Sequence, residues 1–428
     1  MIGSEQIIFT LFFSIVLIVF YANGLFRRNP VLQIARFRHQ LVGAFFINAI
    51  FFASVALYFN YHYGYITDDI NYFNGALSYS KGFFDIKTGN EFMYYISRPL
   101  RLYLHLDRPS FHILFGAMGF LGSLNFLFIL SKTADFLNKK KRNEISIKLF
   151  SILCFPNLMV WGRFYGKDST TFFLGSVYCI GAYHLITGSK HIWRNVFLAV
   201  IPILLLYKLR PHIAAVFAMG LLIGMYLKSI NKRNLRTPNM EILYKVLVPI
   251  VIAIVLSAAT LYSLRVLTKS GTLSVENVRQ TLVGATQNGA SGGSATAVAG
   301  EVRENNEVIF SPRQIIINVG MILAAPMPWK IRGVADALAF LSNILLLLLV
   351  VRFAKNIYIT DVFQKYLIFV CCLLIILLSF MAGNVGLILR QKTILLPFLF
   401  LLLFSTKKIN ADKSPANRNN VPKPRFNP

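Results

Sequence analysis

The chain has 428 residues, 56% of them apolar, a mean hydropathy of +0.58 and a formal charge of +27. Soluble globular proteins run at about 45–50% apolar, so this composition excludes an ordinary soluble domain. The charge does not indicate nucleic-acid binding, because Lys and Arg cluster between apolar blocks in the positive-inside pattern of membrane proteins.

The apolar blocks are long enough to cross a bilayer, and chain in lipid must satisfy its own backbone hydrogen bonds, so they are read as helices. In chain order the predicted spans are 7–26, 41–60, 111–130, 146–161, 169–187, 195–207, 211–227, 246–264, 335–351, 366–383 and 393–405. The first has no basic residue ahead of it and no small-residue cleavage site, so it reads as a retained span rather than a signal peptide. The fourth, sixth and last are short and are expected to be tilted, re-entrant or broken.

The segment 27–40 holds Arg27, Arg28, Arg36 and Arg38 and no acid, which places it in the cytoplasm. Alternation then puts Lys139–Arg142, Lys190 with Arg194, Lys228 with Lys232, Arg233 and Arg236, and Arg352 with Lys355 on the same side. This leaves about +21 inside and about +6 outside. The prediction is an all-α, polytopic membrane bundle of about eleven helices over 1–406, with the N-terminus outside. A basic, Pro- and Asn-rich tail, 407–428, is expected to be cytoplasmic and disordered.

Two outside segments are long, about 61–110 and 265–334. The second contains the flexible run from Gly289 to Ala297, then turns apolar over Ile315–Ala325 and reaches Pro326-Met-Pro-Trp-Lys330. That last part reads as a membrane-surface or re-entrant helix with an aromatic anchor. The four cysteines, Cys154, Cys179, Cys371 and Cys372, fall in apolar blocks without zinc spacing, so neither a metal site nor a disulfide framework is expected. No Walker loop, dinucleotide fingerprint or HExxH sequence is present, so no cofactor is expected.

The topology sorts the unusual charges to one face. Asp68 and Asp69 lie in the first long outer segment, followed by Arg98 and Arg101. Arg163, Lys167 and Asp168 occupy the next outer turn, Lys208, Arg210 and His212 the one after, and Asn384, Arg390 and Lys392 the last. Cations in short outer turns run against the positive-inside bias, and arginine at membrane depth is retained for function. A guanidinium fork matches phosphate oxygens at about 1.5–3 kcal/mol per charge-assisted bond. Arg98, Arg101, Arg163, Lys167, Arg210 and Arg390 are therefore candidates for holding a lipid diphosphate. Asp68 or Asp69 is the candidate base for an attacking sugar hydroxyl, and helical geometry turns only one of them to a substrate. Each also fits the bland role of a first-turn acid at a helix N-terminus. Asp168 and His212 are accessory candidates.

The run Thr67-Asp-Asp-Ile-Asn-Tyr-Phe-Asn-Gly-Ala resembles the first external loop of GT-C glycosyltransferases. Gly166-Lys-Asp-Ser, Arg210-Pro-His and Gly386-Leu-Ile-Leu-Arg390 followed by Pro397 resemble short signatures of Wzy-type O-antigen and capsule repeat-unit polymerases. The resemblance implies a metal-independent joining of undecaprenyl-diphosphate-linked repeat units at the periplasmic face of a bacterial inner membrane, in a GT-C-like bundle. A chain-length regulator and a flippase are partners expected on the same ground. In the polymerase pattern a second large loop carries an acidic pair, whereas here it offers only Glu301, Glu304 and Glu307. Two alternatives stand beside this reading. One is a GT-C enzyme adding a single sugar from a polyprenyl-phosphate donor. The other is a lipid-linked oligosaccharide flippase, which the absence of an internal repeat disfavours.

Overall fold

The computed structural model describes residues 2–27, 35–62, 68–133, 142–231, 312–331, 334–354, 357, 361–380 and 385–405. Every regular element among them is helical. In chain order these are α1 (Ile2–Phe26), α2 (Ala35–His62), α3 (Asp68–Ser78), α4 (Asn90–Leu102), α5 (Arg108–Thr133), α6 (Arg142–Leu153) and α7 (Pro156–Trp161). They continue with α8 (Lys167–Thr187), α9 (Ile192–Leu209), α10 (Pro211–Asn231), α11 (Pro312–Ala324), α12 (Val334–Phe353), α13 (Val362–Phe380) and α14 (Val385–Phe404).

Six of the described helices are long and apolar enough to cross a membrane: Glu5–Leu25, Arg108–Thr133, Ile192–Leu209, Pro211–Ile230, Asp336–Phe353 and Val362–Ser379. Their burial separates two roles. The apolar window of α5 is 89% buried, whereas that of α1 is 17% buried. Phe9, Phe12 and Phe20 of α1, Phe197 and Leu204 of α9, and Leu347, Leu348 and Val351 of α12 all stand exposed. Large apolar faces around the circumference of an apolar bundle suit lipid rather than water. The chain is thus a helical membrane protein, with α5, α8 and α14 at its centre.

Helices pack closely where small residues allow it, because association in lipid depends on van der Waals fit rather than on apolar burial. A Cβ on Gly181 of α8 would meet the Ala199 backbone nitrogen of α9 at 2.5 Å, so glycine sets that approach. Polar groups add internal links. Tyr21 of α1 donates to Asn125 Oδ1 of α5 at 2.5 Å, and Asn125 donates to Ser176 of α8 at 2.9 Å. Tyr366 of α13 donates to the Tyr178 hydroxyl, which donates to the Phe217 carbonyl of α10.

Ten of the eleven predicted spans fall on described helices, and 246–264 lies outside the described residues. The short span 146–161 is broken into α6 and α7, one of the outcomes expected of it, because Pro156 can begin a helix but not continue one. The last helix starts at Val385 rather than at 393. Arg390 and Lys392, expected in a connection, lie in its first turns, where their charges find protein partners and need not end the helix.

Residues 68–107 do not form an open loop. Helices α3 and α4 form a small cap with its own core of Tyr72, Tyr79, Ile86, Phe92 and Met93 against Phe111 and Phe115 of α5, Tyr165 and Leu209. The cap is tied to the end of α9. Gly89 N–H donates to the Lys208 carbonyl at 2.8 Å, and the Lys208 ammonium donates to the Ile86 carbonyl at 3.1 Å. The expected helix over 315–325 is α11, and Trp329 after it is exposed as an anchor would be. The rest of 265–334 up to Ser311 and the tail 407–428 lie outside the described residues.

Candidate functional site

The N-terminal ends of α3, α5, α8, α10 and α14 and the C-terminal ends of α7 and α9 meet at one end of the bundle. Several of the predicted residues meet there too.

Asp68 and Asp69 open α3, where the helix dipole favours acids. Adjacent residues on a helix point about 100° apart, and the two carboxylates take opposite fates. The Asp68 side chain is 62% exposed and accepts from Arg390 Nη1 of α14 at 2.9 Å. The Asp69 side chain is 6% exposed and its Oδ2 accepts from Arg108 Nε at 2.7 Å. His112, one turn along α5, has Nε2 3.0 Å from the same oxygen. The Tyr165 N–H donates to His112 Nδ1 at 3.4 Å, which puts the ring proton on Nε2 and makes it a donor to Asp69. Asp69 is therefore a buried tie between the cap and α5, and Asp68 is the carboxylate that faces outward.

Lys167 and Asp168 begin α8, and Arg210 ends α9. Arg210 Nη2 donates to Asp168 Oδ1, with both side chains largely covered. The Lys167 ammonium lies 5.9 Å from the centre of the Tyr72 ring. Burial, and then the Arg210 guanidinium, lower the Lys167 pKa to about 8, against the opposing pull of Asp68 and Asp168. Tyr72 records the same neighbourhood. Burial pushes its phenol well up, Asp68 and Asp168 push it further, and Arg210 and Arg390 pull it back. His212 stands in the first turn of α10 next to Arg210, with its Nε2 buried and without a hydrogen-bond partner among the described residues. The Arg390 guanidinium sits 5.0 Å from the centre of the Trp161 ring, at the end of α7.

Asp68, Lys167, Asp168, Arg210 and Arg390 thus gather around Tyr72 from four separate stretches of sequence, with His212 near Arg210 and Lys167. The remaining candidates do not join them. Arg101 stacks on the Phe73 ring at 3.6 Å and donates to the Phe73 carbonyl, which braces α4 against α3. Arg98 is half-buried on α4, and no ion pair among the described residues links it to Asp68.

Arg163 lies apart from this cluster. It is 2% exposed, and its Nη2 donates to the Leu153 carbonyl at 2.6 Å and to Ser123 at 3.1 Å. Leu153 ends α6 at the break before Pro156, so its carbonyl lacks the intrahelical donor it would otherwise have. Asn48 Nδ2 donates to the same carbonyl at 3.2 Å. Arg163 therefore satisfies a broken helix inside the bundle, through Leu153 and Ser123.

Sequence reasoning missed Tyr72, Arg108 and His112. A signal was present for each: Tyr72 follows Asp68 by one helical turn, and His112 follows Arg108 by one turn at a span start.

Compared with protein-family models, curated proteins and solved structures, the chain matches none. The outward Asp68 carboxylate can take a proton from a hydroxyl, and Lys167, Arg210 and Arg390 beside it can neutralise an anionic leaving group. Among the described residues no group of three or more His, Cys, Asp or Glu is placed to hold a metal ion.

Proposed function

We propose that the chain is a membrane glycosyltransferase that joins polyprenyl-diphosphate-linked oligosaccharide repeat units into a surface polysaccharide. The observation that carries this reading is the gathering of Asp68, Lys167, Asp168, Arg210 and Arg390 around Tyr72 at one end of an apolar helical bundle. In this reading the bundle has about eleven spans in a GT-C-like arrangement. The clustered end faces the periplasm, and the membrane is a bacterial inner membrane. A lipid-linked donor suits that face, because no nucleotide-binding motif is present and nucleotide sugars are cytoplasmic.

The roles follow from geometry. The Asp68 carboxylate takes the proton of the acceptor sugar hydroxyl as its oxygen bonds to the donor's anomeric carbon. The bond from that carbon to the diphosphate oxygen breaks, and the polyprenyl diphosphate leaves. Arg390, Arg210 and Lys167 bear its developing negative charge, which electrostatic stabilisation requires at the leaving group. Substrate phosphate competes with the carboxylates for these cations, so Arg390 releases Asp68 as it engages the lipid. No cofactor has a role in this scheme.

Deletion of the gene, with polysaccharide scored by chain length, tests the reading. Single repeats without polymer are expected, and Asp68→Asn, Arg210→Ala and Arg390→Ala at matched membrane levels reproduce that pattern. A product lacking one sugar would favour the single-sugar transferase instead. Normal chain length in the deletion strain would remove both readings.

A further inference from the structure

We propose that Lys392 is a positioning residue that couples the external helix α11 to the Asp68–Arg390 pair through the first turns of α14. Lys392 is 2% exposed, which is unusual for an ammonium group. Its Nζ donates to Asn343 Oδ1 of α12 at 2.7 Å, to the Leu323 carbonyl at 3.1 Å and to the Ala325 carbonyl at 3.4 Å. Three N–H donors meet three oxygens, which is what burying a lysine requires. Asn343 Nδ2 completes the arrangement by donating to the Ala324 and Ala325 carbonyls at 2.9 and 2.7 Å.

These carbonyls are the C-terminal end of α11. The last four carbonyls of a helix have no partner within it and carry the negative end of its dipole. Lys392 and Asn343 supply the donors, and Lys392 the matching charge. A second tie holds the other flank, where Asn318 Nδ2 donates to the Ser379 carbonyl of α13 at 2.8 Å.

Residues 390 and 392 of a helix are separated by about 200° and about 3 Å of rise. One turn of α14 is therefore held from both sides: Arg390 reaches Asp68 of the cap, and Lys392 reaches α11. Helix α11 is the described helix of the long segment 265–334, and it packs on α13. A shift of α11 either breaks the buried ammonium's bonds or turns the first turns of α14, and with them Arg390. The two external segments are thus mechanically linked through one helix. The inference rests on the Asp68–Arg390 site and not on the reaction assigned to it.

Hydrogen exchange of the full chain in lipid nanodiscs, without substrate, tests the link. Lys392→Met keeps the length of the side chain and removes its donors. It is expected to speed exchange on the order of tenfold in peptides covering 312–325 and also in those covering 68–78. Lys392→Arg, which keeps the charge, restores protection over 68–78. A change confined to 312–325, or to neither segment, overturns the proposal. If Lys392→Met does not accumulate, Asn343→Ala leaves the ammonium in place but removes one of its acceptors. Faster exchange over both 312–325 and 68–78 is again expected, and a change in one segment or in neither again overturns the proposal. Because exchange is read without substrate, its outcome is independent of the polysaccharide phenotype.

Discussion

Two neighbouring aspartates show how far one residue's surroundings decide its role. Asp69 pairs with Arg108 and His112 and is itself 6% exposed, so removing its charge breaks a largely covered ion pair. Asp69→Asn is therefore expected to lower the thermal midpoint of the purified protein by several degrees, and Asp68→Asn, whose carboxylate is mostly in solvent, to leave it near wild type. Equal midpoints for the two variants would contradict the assignment of buried tie and outward acid. Lys167 gives a pH signature. With its pKa lowered to about 8, it loses charge as pH rises through that value, and binding of an anionic lipid head group weakens in the same window. Lys167→Arg removes this dependence, because arginine stays charged. The sign for stability is the reverse: a lysine whose native pKa lies below its unfolded value favours unfolding at low pH, so this group's contribution rises with pH above about 8. A binding profile flat from pH 7 to 9 in the native chain would remove Lys167 from the anion site.

The helices themselves were largely legible, because runs of apolar residues bounded by Arg and Lys leave few other structures in lipid. Their ends were less so. Apolar patterning begins the last span at 393, since nothing local says that Lys392 will find three oxygens from other parts of the chain. Arg163 misled for the opposite reason: an arginine beside an outer turn suggests a ligand, and only the break at Pro156 explains its inward course. That tertiary partner lies ten residues back in the chain and is invisible to periodicity. At this scale the contact between α8 and α9 is the most vulnerable. Gly181→Val places a side chain within van der Waals overlap of the α9 backbone and forces the two helices apart. Because α8 carries Asp168 and α9 carries Arg210, the variant is expected to lose stability and activity together. Gly181→Ala gives a smaller loss of both. Wild-type melting and activity in Gly181→Val would show that the close approach is not needed.

For the whole molecule, the charge pattern predicts a shared outer face, and the fold gathers Asp68, Lys167, Asp168, Arg210 and Arg390 around Tyr72 at one end of the bundle. What the pattern did not contain was the cap. Residues 61–110 read as a loop because α3 and α4 are short and polar on one side, yet the aromatic core beneath them seats α3 against α5 and α9. That seating holds Asp68 within reach of Arg390, 322 residues away in the chain. The most direct test of a shared outer site is a cross-link between Asp68→Cys and Arg390→Cys, made in intact membranes with the four native cysteines replaced. A short bifunctional thiol reagent is added, followed by cleavage at a protease site introduced within 265–311. The two halves of the chain are expected to stay joined. Halves that separate, while Asp68→Cys joins instead to a cysteine at the far end of α14, would contradict the convergence of these residues.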